Sequence, residues 1–106
     1  MILVIDASSL ITLARIGRLH LLHDLAESLC IPEAVYDEVV IKGEGRPASK
    51  EIAQVTWISR EQVRDQLAVA RLRANVERGE AEAIVLAGEL RADFVILDDA
   101  DRKSVV

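Results

Sequence analysis

Two aspartates stand directly after apolar runs of strand length: Asp6 follows Ile2-Leu3-Val4-Ile5, and Asp98 follows Phe94-Val95-Ile96-Leu97. A run that is apolar at every position fits a strand covered on both faces, as in a parallel α/β sheet. Functional groups in such sheets collect at the carboxyl ends of strands, so the two aspartates predict a shared acidic cleft. Asp99, Glu80, Glu82, Asp37 and Glu38 are the other acids to place. On a helix from Glu80 to Leu90, a step of about 100° per residue puts Ala83, Ile84, Leu86, Ala87 and Leu90 on one face. Glu80 falls at that face, and Glu82 falls beside Glu89 on the opposite one. In the first turn a carboxylate favours the helix dipole, and from there Glu80 can also point into the cleft. For the preceding acids the wheel does not choose, because Val35, Tyr36, Val39 and Val40 leave Asp37 and Glu38 flanking the apolar stripe about equally.

Gathering three or four carboxylates is costly without a counter-ion. Two unit negative charges roughly 5 Å apart repel by about 3 kcal/mol at an effective dielectric of about 20, and several such pairs would rival the stability of a small domain. A divalent cation removes the conflict. Oxygen-only, carboxylate-rich sites suit Mg²⁺ or Mn²⁺, and these ions support hydrolysis of phosphodiesters by stabilising the charge that develops.

The elements that must position these acids follow from periodicity and punctuation. A helix is expected over 8–16, with Ser8 or Ser9 as N-cap and Gly17 ending it. A second helix covers about 18–27, and a short strand runs from Ser28 to Ile31. Pro32 suits the first turn of a helix from Glu33 to about Lys42, and Gly43-Glu44-Gly45-Arg46-Pro47 reads as an exposed loop. A helical turn over 49–53 and a short strand near 55–58 come next. A long polar helix is expected over 61–77, then a helix from Glu80 to Leu90, then the strand that leads to Asp98. The residues 101–106 read as the start of a helix and supply no further strand.

With 106 residues, 51% of them hydrophobic, the chain is expected to form one domain with one core. A formal charge of −5 argues against a protein that holds nucleic acid through a broad basic surface, but not against a nuclease with an acidic, metal-filled centre. Cys30 is the only cysteine, which excludes an internal disulfide and a thiolate cluster and fits a reducing interior, so a cytoplasmic protein is expected. No apolar stretch approaches the roughly 18 residues of a spanning helix, and no membrane partner is expected.

Three ordered blocks, VIDASSLITLARIGRLHLL, IPEAVYDEVV and GEAEAIVLAGELRADFVILDD, resemble PIN domains, in particular the branch related to VapC-type toxins. The resemblance spans most of the chain. It implies an α/β/α three-layer sandwich with a central parallel sheet, and an Mg²⁺- or Mn²⁺-dependent ribonuclease whose acids meet at the strand ends. By position, Asp6 would be the first acid, with Ser8 supporting it, Glu38 the second, Glu80 the third and Asp98 the fourth. Asp99 is a close alternative to Asp98 as a metal ligand. The resemblance also implies an RNA substrate, an antitoxin protein as partner and a homodimer. Two departures stand out: Glu80 occupies a place where the VapC pattern more often has Asp, and family members usually add a strand and a helix after the point where this chain stops.

The remaining chemistry-bearing residues have blander readings. His20 and His23 lie three apart but with no further ligand in sight, and Cys30 fits a core position. Arg60, Arg64, Arg71, Arg73 and Arg78 make one region locally basic. Of these, Arg60, Arg64 and Arg71 are the candidates for contact with RNA phosphates. A non-catalytic PIN-like binding module is the main rival reading. A phosphatase using Asp6 as nucleophile is a weaker one, since the second aspartate it needs is Ser8 here.

Overall fold

The structure, a computed structural model, describes residues 1–98; Asp99 and the helix expected over 101–106 lie outside the described residues. In chain order the elements are β1 (Ile2–Ile5), α1 (Ala7–Arg15), α2 (His20–Leu25), β2 (Ser28–Pro32) and α3 (Glu33–Tyr36). The last of these runs on as a π-helical stretch, Asp37–Ile41, and is followed by α4 (Pro47–Gln54), β3 (Ile58–Glu61), α5 (Gln66–Leu72), α6 (Arg78–Leu90) and β4 (Phe94–Ile96). All strand pairs are parallel, in the order β3-β2-β1-β4. The α/β fold expected from the apolar runs is therefore the fold observed, a four-stranded parallel sheet flanked by helices.

The central strands β1 and β2 have a cover on each face, whereas β4 is an edge strand that leaves Phe94 exposed. Alternate residues of a strand point to opposite faces, so Leu3, Ile5, Leu29 and Ile31 join Leu10, Leu22, Val35, Val39 and Ile52 in one cluster. Val4 and Cys30 join Val63, Val69, Ala81, Ala83 and Leu86 in the other. Full burial of side chains such as Val4 and Ile5, both 0% exposed, contributes about 1.5–3 kcal/mol each. Chain direction then sets the site. The chain steps outward from β1 to β2 to β3, and its return to the far side of β1 as β4 creates a switch point between β1 and β4, where parallel sheets open a crevice at their carboxyl ends.

Two expectations fail on the β3 side. The third strand lies at Ile58–Glu61 rather than 55–58, with Pro32 paired to Glu61. The long helix expected over 61–77 is instead the end of β3, a loop, the short α5 and a turn. A distant carboxylate overrides local helix preference here: Glu89 accepts N–H bonds from Arg64 (3.0 Å) and Asp65 (2.8 Å), while the Asp65 side chain caps α5 through the Ala68 N–H at 3.0 Å. Among the described residues no helix is long and apolar enough to cross a membrane.

Candidate functional site

Asp6 is the N-cap of α1, in place of the expected Ser8 or Ser9. Its Oδ1 accepts the Ser9 N–H at 2.9 Å, and its Oδ2 accepts the Asp98 N–H at 2.8 Å. Its own N–H donates to the Ile96 carbonyl at 3.0 Å. Although only 3% exposed, the carboxyl group has hydrogen bonds on both oxygens, which offsets much of the desolvation of a charge in that position. Asp6 thereby ties the end of β4 to the end of β1 and brings Asp98 beside it.

Glu38 reaches the same place through a local irregularity. The Lys42 N–H donates to the Asp37 carbonyl at 2.8 Å, the five-residue step of a π turn. Such a turn displaces a carbonyl from the helical ladder, and the Ser49 hydroxyl donates to Val40 O at 2.9 Å. Gly43 packs so closely on the Val39 carbonyl that a Cβ there would collide with it. Within this turn it is Glu38, not Asp37, that lines the cleft. Its Oε1 lies 3.5 Å from where a Cβ on Gly79 would stand, so the bare glycine of α6 borders the carboxylate.

Helix α6 completes the cleft from the other side of the sheet. Asp6, Ser8, Glu38, Glu77, Glu80 and Asp98 line a single cavity of about 40 Å³ together with Ala7 and Gly79. By volume this is room for an ion with a water rather than for an organic molecule. Glu77 was not singled out from sequence; its place three residues before Glu80 at the start of a helix is the signal that would have found it. Partial burial raises the Glu38 pKa above its ordinary value, the Glu77 charge raises it further, Lys42 opposes the shift and Asp6 adds to it. Glu77 and Asp6 thus contribute to that rise as neighbouring like charges, second to burial.

The wheel misplaced Glu82. Expected on the outer face beside Glu89, it is 4% exposed, because α6 is buried along the line of Ala81, Glu82, Ala83 and Leu86. Its Oε1 accepts the Ala34 N–H and its Oε2 accepts the Arg78 Nε–H, both at 3.1 Å. Helix α3 begins at Pro32 without a side-chain cap of its own, so Glu82 supplies the missing acceptor from another element. It braces the helix that carries Glu80 against the helix that leads to Glu38. Glu80, by contrast, is half-buried at the cavity.

None of the arginines selected for RNA contact reaches the cavity. Arg60 pairs with Glu33 at 3.1 Å and lies 4.2 Å above the Tyr36 ring. Arg64 sits at the far end of α6, by Glu89, about 13 Å along the helix from Glu80. Arg71 is exposed in the last turn of α5. His23 is likewise outside the site, stacked on Trp57 with ring centroids 4.6 Å apart, and Cys30 is buried in the core.

A family model described as DUF3368: PIN domain matches residues 2–105. The chain belongs to the PIN domain family. No curated protein and no solved structure gives a significant match. PIN domains are typically metal-dependent nucleases, and the donor set of this PIN domain is of the right kind, since carboxylate and hydroxyl oxygens prefer hard divalent cations. Among the described residues no three such side chains are drawn together around one point.

Proposed function

We propose that this PIN domain is an Mg²⁺- or Mn²⁺-dependent endoribonuclease. The observation that carries the reading is the convergence of Asp6, Glu38, Glu80 and Asp98, from separate elements, on one small cavity at the switch point of a parallel sheet. These four would hold the cation, with Asp99 a further candidate ligand beside Asp98. A bound divalent ion would neutralise the cluster and stabilise the charge that builds on a phosphodiester during hydrolysis. The protein's own groups have distinct parts in this. Asp6 is fixed by two backbone N–H groups and gives the site a rigid reference point. Glu38 and Glu80 reach the cavity from two different helical segments, and a carboxylate at either place is suited to bind the cation or to take a proton from the attacking water. Ser8 lines the cavity near Asp6 and is suited to orient a ligand oxygen.

The resemblance of the three sequence blocks to VapC-type toxins is the ground for a toxin role, with a small antitoxin protein as partner, a homodimeric assembly and a cytoplasmic setting suited to a reduced Cys30. Purified protein incubated with RNA and Mn²⁺ tests the central claim. Wild type should cleave, chelation should stop it, and Glu80→Gln should lower the rate at least about 100-fold, the scale of several kcal/mol of lost charge stabilisation. Equal cleavage by wild type and Glu80→Gln would assign the chemistry elsewhere. Mn²⁺ binding without cleavage would leave a binding module rather than an enzyme.

A further inference from the structure

The acidic cavity gives a polyanion no anchor of its own, and the chain is net negative. On the other face of the same helical turn the chemistry reverses. A cleft of about 350 Å³ between α5 and α6 is lined by Gln66, Val69, Ala70, Arg73, Arg78 and Glu82. Arg78 and Glu80 lie some 200° apart around α6, so the two clefts stand on opposite sides of its first turn, about a helix width of 10 Å apart. Arg78 is also adjacent in sequence to Glu77 and Gly79, both of which line the acidic cavity.

The Arg78 side chain is oriented and still available. Its Nε–H is bound to the buried Glu82 carboxylate, while the side chain as a whole is 50% exposed. A guanidinium has five N–H donors in a fixed fork, so a group held by Nε presents its terminal nitrogens as a preformed anion clamp. Arg73, the C-cap of α5, is exposed and brings a second guanidinium to the same cleft. We infer that Arg73 and Arg78 form a phosphate subsite, holding the substrate strand a few nucleotides from the bond that is cut. The inference rests on the nuclease reading above. It moves the basic contact away from Arg60, Arg64 and Arg71. A strand crossing the amino end of α6 meets the carboxylates, with their cation, on one side and the arginine pair on the other.

The test is binding of a labelled single-stranded RNA of mixed sequence, read by fluorescence anisotropy over a range of salt concentrations on a Glu80→Gln background, with chelator present so that turnover does not interfere. Arg73→Gln should raise Kd about tenfold, the value of one hydrogen-bonded charge contact, and should flatten the log–log salt dependence by about 0.7. The loss should be uniform across RNA sequences. Arg78→Gln should do the same, but it also disturbs the Glu82 pair, so Arg73→Gln is the deciding variant and urea midpoints are recorded for both. Arg15→Gln, in the last turn of α1, makes the same charge change elsewhere and should leave Kd unchanged. In the active protein, Arg73→Gln should raise KM with little change in kcat. Unaltered RNA affinity in Arg73→Gln, or an equal loss in Arg15→Gln, overturns the subsite. If Mn²⁺ binds and RNA is cleaved while Arg73→Gln keeps its KM, only the subsite falls. If wild type shows neither Mn²⁺ binding nor cleavage, the nuclease reading falls, and the anisotropy series still judges the arginines.

Discussion

Replacing Glu82 by alanine removes a buried acceptor rather than a surface charge, and the cost follows from its two partners. Ala34 is itself buried, so its N–H loses its partner with little access to water; a donor stranded in this way costs about 1–3 kcal/mol. The Arg78 contact is half-exposed on the arginine side and adds less, about 0–1 kcal/mol. Loss of packing around the γ-methylene adds about 1 kcal/mol more. The expected total is about 3 kcal/mol, a large part of the stability of a small domain. Glu82→Gln keeps an oxygen facing the Ala34 N–H and should lose only about 1 kcal/mol. In urea, with a slope of about 2 kcal/mol/M, Glu82→Ala should lower the midpoint by roughly 1.5 M, and Glu82→Gln by roughly 0.5 M. A drop below about 0.5 M for alanine, or equal drops for the two variants, would refute the brace between α3 and α6.

Other outcomes follow from the same cleft. Because the Glu38 pKa is raised above 4.5 in the folded chain, the folded state holds that proton more tightly than the unfolded one. The stability it contributes is complete below pH 4.5 and is lost as pH rises through the raised value. Urea midpoints measured without divalent ions should therefore show Glu38→Gln more stable than wild type at pH 7, with the difference gone by pH 4; a less stable variant at pH 7 would contradict the repulsive cleft. Gly43→Ala places a methyl group against the Val39 carbonyl and should cost about 1–3 kcal/mol. Its effect on cleavage should exceed its effect on stability, because the π turn that aims Glu38 must shift, and kinetics on the still-folded variant at low temperature would check this.

Where both faces of a segment are buried, the amino-acid pattern was a sufficient guide. The run before Asp6 and the segment at Ser28 became strands at nearly the expected positions because apolar residues leave few other ways to hide them, whereas the run before Asp98 became an edge strand with Phe94 61% exposed. The wheel on α6 failed for a physical reason: it assumes that charge marks the solvent side, whereas Glu82 is held inside by the Ala34 N–H and Arg78, neither predictable from helical spacing. The region after β3 failed similarly. Its composition favours a helix, but the Glu89 carboxylate, 24 and 25 residues away, captures the backbone N–H groups of Asp65 and Arg64. For the acids, periodicity left Asp37 and Glu38 level; the resemblance to PIN domains chose Glu38, and Glu38 is the one of the two that lines the cleft. Glu77 stayed hidden because it lies just outside the helix that was expected to begin at Glu80.

The two backbone bonds accepted by Asp6 bear on how an inactive allele should be chosen. An amide at this position would turn one of its two acceptor oxygens into a donor facing an N–H group, either at the cap of α1 or at the end of β4. Asp6→Asn therefore confounds lost chemistry with a loosened sheet, and a phenotype from it would not distinguish a missing activity from a degraded protein. Glu80→Gln, on a half-buried helical side chain, is the cleaner knockout for genetic work.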